Sequence, residues 1–161
     1  MPAPITKMKA NSRELEPEVE HILKTHRDRR VIVVGTTCTG KSTLLKRLKE
    51  RGLQAHDMDE LVFPNLTKEE DDAVSKGPWT PEVGKLMDAL ARRYVKVEPG
   101  QPVFGTVVFD CDLIVYLKIN DHLLMERTRQ RKGSFDDAKR MQHQIEQQVK
   151  ASGRPVIEIM L

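Results

Sequence analysis

The run Val31-Ile32-Val33-Val34, followed by Gly35-Thr36-Thr37-Cys38-Thr39-Gly40-Lys41-Ser42, decides how this chain folds. Four apolar β-branched residues in succession have the pattern of a central parallel strand buried on both faces. The strand stops at Gly35, and from there to Ser42 the residues satisfy G-x-x-x-x-G-K-[ST], a string that needs a strand before it and a helix after it. The helix is signalled by Thr43, Leu44, Leu45 and Leu48, with Gly52 supplying a left-handed stop. Glycine is needed because such a loop wraps an anion with successive backbone N–H groups, and side chains at its bends would obstruct the turn or the ligand. The positive end of the following helix adds to the attraction. Gly35, Thr36, Thr37, Cys38, Thr39, Gly40, Lys41, Ser42 and Thr43 are therefore expected to cradle a polyphosphate. Lys41 then places a compact cation on the outer phosphates, and the Ser42 hydroxyl is placed to ligate Mg²⁺ between them. Cys38 reads as a spacer, since no histidine base is expected beside it to make it a nucleophile.

On the N-terminal side, residues 1–11 are polar with two prolines and are expected to form a mobile tail. A helix follows, with Pro17 in its first turn and an apolar stripe of Leu15, Val19, Ile22 and Leu23. Residues 1–30 thus read as tail and helix, and residues 31–161 as the domain proper. On the C-terminal side a second strand is expected over 53–55, leading into Asp57-Met58-Asp59. Residues 60–79 look irregular, and Thr80-Pro81 caps a helix bearing Val83, Leu86, Leu90 and Tyr94. The stretch 60–100 is read as a mobile, substrate-covering insert. Strand-like runs return at 103–109 and 113–119, a basic helix spans 121–132, and Ser134 with Asp137 opens a last helix carrying Ala138, Met141, Ile145 and Val149 inward. A final strand is expected over 156–160. Strands alternating with helices predict an α/β fold of three layers, a central and mostly parallel sheet flanked by helices.

A chain of 161 residues is the length of one domain. Its 27 Lys and Arg against 24 Asp and Glu leave a net charge of +3, too mild for a nucleic-acid-binding face but suited to a small polyanion. Nucleic acid is therefore not the expected partner. Cys38 and Cys111 are too few for a disulfide scaffold, and no Cys/His grouping has zinc-site spacing. No stretch approaches the roughly 18 consecutive apolar residues of a membrane span, and the opening residues lack the apolar run of a secretory signal, so a cytoplasmic location is expected.

The segments VVGTTCTGKSTLLKRL, HDMDEL and DLIVYLKINDHLLMERTRQR, spanning about residues 31–132, resemble the small P-loop kinases, the group of shikimate, adenylate and other nucleotide kinases. The resemblance implies a P-loop NTPase fold, ATP as donor with Mg²⁺, and transfer of the γ-phosphate to a small-molecule acceptor, with nucleosides and nucleotides ahead of sugar-like acids. It matches Asp57 to an acid that assists Mg²⁺ and Asp59 to one that contacts the acceptor hydroxyl. Alternate residues at a strand end point the same way, which would bring both carboxylates to the transferring phosphate. It also matches residues 121–135 to a lid region, in which the guanidinium groups of Arg127 and Arg131, four residues apart on one helix face, clamp phosphate oxygens. The catalytic set is then Lys41, Asp59, Arg127 and Arg131, and the metal set Ser42 and Asp57.

Several features depart from that pattern. Shikimate itself is disfavoured, because the third strand has only Gly105 where those kinases carry a glycine triplet. The join between the runs 103–109 and 113–119 is too short for a crossover helix, which needs at least about ten residues. Either one strand is misread or the topology is trimmed. Val107-Val108-Phe109-Asp110 offers an alternative acid, a hydrophobic run ending in a carboxylate that could take the metal role from Asp57. Thr67-Lys68-Glu69-Glu70 is the nearest approach to a guanine-reading N/T-K-x-D stretch and ends in the wrong acid. Trp79, Tyr94 and Phe63 are either core residues or a stacking surface for the acceptor. The rival function is a P-loop ATPase or nucleotide-dependent switch or binding module acting with a protein partner.

Overall fold

The computed structural model describes residues 4–161. Its strands are β1 (Ile5–Lys9), β2 (Val31–Val34), β3 (His56–Asp57), β4 (Val103–Gly105), β5 (Leu113–Lys118) and β6 (Val156–Met160). Its helices are α1 (Ser12–Thr25), α2 (Lys41–Glu50), α3 (Met58–Val62), α4 (Lys68–Ser75), α5 (Pro81–Tyr94), α6 (Asp121–Gln130) and α7 (Phe135–Ala151), with a single 3-10 turn at Phe63–Asn65. The strands form one open sheet in the order β1-β6-β5-β2-β4-β3, and every pairing is parallel.

The strand pleat sorts β2 between two cores. Val31 and Val33 pack with Leu15, Val19 and Leu23 of α1 and Leu44, Leu45 and Leu48 of α2. Ile32 and Val34 face Met58 and Val62 of α3, Met87 and Leu90 of α5, and Ile145 and Val149 of α7. All four β2 residues are fully buried, which is why the sequence there is apolar without alternation. Each such side chain contributes on the order of 1.5–3 kcal/mol on burial. The three-layer α/β architecture expected from the sequence is the one observed.

The N-terminal region departs from expectation. Ile5–Lys9 is strand β1, paired in register with β6 from Ile5↔Val156 to Lys9↔Met160, and is no tail; residues 1–3 of that expectation lie outside the described residues. Its exposed, largely polar side chains gave no apolar signal, because an edge strand takes its order from backbone pairing. Asn11 caps α1 in a capping box with Glu14, so the helix begins at Ser12 and Pro17 lies inside it beyond the first turn. The second strand is His56–Asp57, later than 53–55. Residues 60–79 are largely helical, since Thr67 and Glu70 form a capping box that starts α4.

The strand expected over 103–109 is misread, being only Val103–Gly105, and the join is trimmed as well. β4 ends at Gly105, and residues 106–112 return to the start of β5 without a helix or strand. Val107, Val108, Phe109 and Cys111 are buried in the core under α5 and α7. A buried connection must satisfy its backbone, and Gln148 Oε1 accepts from the Val108 N–H at 3.0 Å while Arg92 Nη2 donates to the Val108 carbonyl at 3.4 Å.

Asp110 therefore does not serve the phosphate loop. It is 68% exposed and bound to Arg30, with Arg30 Nη1 donating to its Oδ2 at 2.8 Å. Arg30 precedes β2, whereas the glycine loop follows it, so Asp110 lies at the opposite end of the strand from Lys41. The alternative metal role read for Asp110 is overturned by this placement. Arg30 also binds Asp112 through its backbone N–H (2.8 Å), Nε (3.2 Å) and Nη2 (2.9 Å). Those bonds, side chain first and backbone second, hold the Asp112 carboxyl down at about 2. A carboxyl lowered in the folded state adds stability above its unfolded value of about 4 and loses it as pH falls towards the folded value. Asp112→Asn should accordingly lower stability at neutral pH and flatten the decline between about pH 4 and pH 2, as measured by chemical denaturation across that range.

Gly105 is fixed by what lies against it. A Cβ there would come within 2.7 Å of the Cβ, Sδ and Cε of Met58. Because the Met58 Cβ is held by α3, the side chain cannot simply swing aside. Gly105→Ala should cost about 1–3 kcal/mol in denaturant unfolding, the usual range for overpacking a core, and should shift the two aspartates that flank Met58.

Candidate functional site

The loop between β2 and α2 is braced from three sides. Thr36 Oγ1 donates to the Ala138 carbonyl in α7 at 2.6 Å, Thr39 Oγ1 donates to the Thr36 carbonyl at 2.9 Å, and Arg127 Nη1 of α6 donates to the Cys38 carbonyl at 2.9 Å. The loop turns through left-handed conformations at Cys38 (φ 68°) and Gly40 (φ 88°). At Gly35 a Cβ would meet the Leu117 carbonyl oxygen and Thr39 Oγ1, both at 2.9 Å. Gly40 is the N-cap of α2 and brings no side chain to cap it, which leaves the first-turn N–H groups to an external anion.

Lys41 Nζ turns onto its own loop. It donates to the carbonyls of Gly35 and, at 2.7 Å, Thr36, and reaches Thr39 Oγ1 at 3.3 Å. Burial lowers this ammonium to about 8, opposed by the charges of Asp59 and Asp57. The two aspartates share one cavity of about 180 Å³ with Lys41, Ser42, Thr106 and Arg131. Their juxtaposition has a different origin from the strand alternation expected. Asp57 ends β3 and caps α3, its Oδ1 accepting the Asp59 N–H at 2.9 Å. Asp59 is open to solvent as a residue, yet desolvation of its carboxyl first, and the Asp57 charge second, push it above the ordinary carboxylate range, against the pull of Lys41.

Of the residues singled out in the sequence, Thr37, Cys38, Gly40, Lys41, Ser42, Thr43, Asp57, Asp59 and Arg131 border this one cavity. Gly35, Thr36 and Thr39 do not line it and meet the Lys41 ammonium through the bonds above. Arg127 borders the adjoining cavity and reaches the loop through Cys38. Thr106 and Ala138 were not foreseen. Thr106 lay hidden inside an expected strand over 103–109, although Gly105 marked its true end; the Ala138 carbonyl carries no side-chain signal at all. Trp79 borders a third cavity beside the loop, whereas Phe63 and Tyr94 pack against the core. Among the described residues no group of three or more His, Cys, Asp or Glu could hold a metal by itself, and no helix is long and apolar enough to cross a membrane.

A family model described as AAA domain matches residues 31–149. The chain belongs to the AAA domain family. The family is of the P-loop NTPase type, and nucleotide binding by the glycine loop is the property this membership supports. In this AAA domain the match runs from the first residue of β2 to Val149 of α7, taking in the loop, Asp57, Asp59, Arg127 and Arg131, and leaving β1, α1 and β6 outside it. No curated protein matches the chain.

Proposed function

We propose that this AAA domain is an ATP- and Mg²⁺-dependent phosphotransferase that moves the γ-phosphate to a small hydroxyl- or phosphate-bearing acceptor, with nucleosides and nucleotides foremost. The observation that carries the reading is the Asp57–Asp59 pair placed in one cavity with Lys41, Ser42 and Arg131. A hydrolase needs to position only water, whereas the second carboxylate, with its raised proton affinity, suits an acceptor hydroxyl.

Mg²⁺ is commonly held by one or two carboxylates together with substrate phosphates and water, and the Ser42 hydroxyl and Asp57 carboxylate supply that donor set. Held there, the ion would neutralise charge on the β- and γ-phosphate oxygens. The loop N–H groups and Lys41 bind the triphosphate, with the ammonium turning from the Gly35 and Thr36 carbonyls to phosphate oxygens. Asp59 accepts the hydrogen bond of the acceptor hydroxyl and takes its proton as the new O–P bond forms and the bond to the β-phosphate oxygen breaks, leaving ADP. Arg131 neutralises the transferring oxygens. Arg127 acts through the loop, by holding the Cys38 carbonyl. The acceptor enters from the cavity of about 350 Å³ that shares Thr37, Cys38 and Arg131 with the cradle and carries Trp79 and Asp137 on its far wall.

The test follows the fate of γ-labelled ATP incubated with the protein, Mg²⁺ and a panel of nucleosides, nucleotides and sugar acids. Label on an added acceptor supports the proposal. Label released only as inorganic phosphate, whatever the acceptor, would make the chain an ATPase instead.

A further inference from the structure

Trp79 borders two cavities, the one beside the phosphate loop and a groove of about 490 Å³ between the start of α5 and the middle of α7, and it is the one residue they share. Its backbone is pinned to α7 on both sides. The Trp79 N–H donates to Asp137 Oδ2 at 3.1 Å, and its carbonyl accepts from Arg140 Nε at 3.2 Å. The indole and Pro81, the first residue of α5, give the groove its apolar surface. Gln144 of α7 lies across Gly84 of α5, where a Cβ would come within 2.6 Å of the Gln144 Cδ and Nε2. A glycine inside α5 thus lets this amide rest between the two helices, half-buried and, among the described residues, without a hydrogen-bond partner. Lys85, Lys139, Arg140 and His143, all exposed, stand around the groove, and no carboxylate lines it. Lys139 pairs with Asp121 and Arg140 with Asp137, whereas Lys85, among the described residues, has neither an ion pair nor a hydrogen bond. On α7 the lining runs from Lys139 to Gln147, a rise of about 12 Å, which is the span of about four extended residues.

We propose that this groove docks a short acidic segment of a partner protein. One or two apolar side chains of the segment sit on Trp79 and Pro81, and flanking Asp or Glu residues reach Lys85, Lys139 and Arg140. Apolar surface rimmed by polar side chains is the make-up of a protein-docking patch, and a tryptophan is among the residues that most often anchor one. Its fixed backbone means that little ordering is left to be done on binding. A basic rim with no carboxylate selects an acidic partner by complementarity. The Gln144 amide offers both donors and an acceptor to the unpaired backbone groups of an extended segment. Single-stranded nucleic acid carries the same sign of charge but binds by stacking successive bases on aromatic side chains, and the groove has no Phe, Tyr or Trp besides Trp79. The proposal needs no phosphate chemistry and holds whether the chain transfers phosphate or hydrolyses ATP.

Trp79 is the only tryptophan of the chain, so its emission reports on the groove. The full chain is titrated with end-capped, tryptophan-free hexapeptides in which a central pair of leucines, phenylalanines or methionines lies between two pairs of glutamates. At least one of them should shift the Trp79 emission and bind about tenfold more tightly than its versions with serines at the centre or lysines in place of the glutamates. Raising salt from about 50 to 300 mM should weaken that peptide about threefold or more, because the flanking charges are screened. Lys85→Glu and His143→Glu alter exposed side chains outside the phosphate loop; each should weaken the peptide about fivefold while Mg²⁺-tripolyphosphate binding stays within about twofold. Circular dichroism checks that both variants fold, and the salt series on the wild-type protein reads the same contacts without any substitution. The proposal is overturned by no emission change with any of the acidic peptides, by equal binding of the serine or lysine versions, or by displacement of the peptide by tripolyphosphate, which would put it in the cradle. A tighter response to an oligothymidylate of equal charge would overturn it as well and give the groove to single-stranded nucleic acid.

Discussion

Lys41→Ala is expected to lower nucleotide turnover by about a hundred- to a thousandfold, the cost of deleting one preorganised donor to a developing anionic transition state. The ammonium is the cation of the loop, already held at its mouth by the Gly35 and Thr36 carbonyls. Its replacement removes one donor from each carbonyl; the Thr36 carbonyl still receives Thr39 Oγ1, and the backbone at Gly35 stays tied to β4 through its N–H to the Gly105 carbonyl at 3.3 Å. Strand β2 and helix α2 draw their stability from Val31, Val33, Leu44, Leu45 and Leu48 in the core, none of which the change touches. Circular dichroism and the thermal transition should thus stay close to wild type while steady-state turnover collapses. Lys41→Met, which keeps the apolar stem, should behave in the same way, and appreciable turnover by either folded variant would take the phosphate-binding role away from this residue.

Asp59→Asn should separate binding from transfer. Amide and carboxylate are nearly the same size, so Asp57 can still accept the N–H of residue 59 and α3 keeps its cap. What disappears is the proton acceptor, a loss of about a hundred- to ten-thousandfold for general-base catalysis. Nucleotide affinity should change little, and should rise slightly if anything, because one negative charge leaves the neighbourhood of the phosphates. Single-turnover transfer with saturating ATP reads the effect directly. A variant that transfers phosphate at the wild-type rate would return Asp59 to being an acidic residue on the first turn of a helix.

The segment Val31 to Gly52 was legible because everything that shapes it is local: an apolar run, a glycine loop, a leucine stripe and a left-handed stop lie consecutively. The pairing of Asp57 with Asp59 was also legible, although its cause was a helix cap rather than a strand pleat. Where long-range contacts decide, the chain was harder to read. Val107-Val108-Phe109-Asp110 has the composition of a strand ending in a metal-binding acid, yet the apolar residues are buried without pairing and the acid goes to Arg30, eighty positions earlier. Nothing near Asp110 in the sequence announces Arg30. The reverse held at Thr67-Lys68-Glu69-Glu70, where a local signal was present but the stretch was weighed only against a guanine-reading motif and set aside: threonine followed three residues later by glutamate is a helix start, and α4 begins there.

Strand β1 covers one margin of the sheet. It takes up the backbone hydrogen bonds that β6 would otherwise offer to solvent, and turns outward a margin carrying Lys7 and Lys9. Lysines on an outer strand discourage a second chain from adding to it. Removing residues 1–30 would strip that guard from Val156–Met160 and the α1 stripe from the core, leaving a free strand edge on β6, and the shortened molecule would be prone to zip onto its neighbours and precipitate.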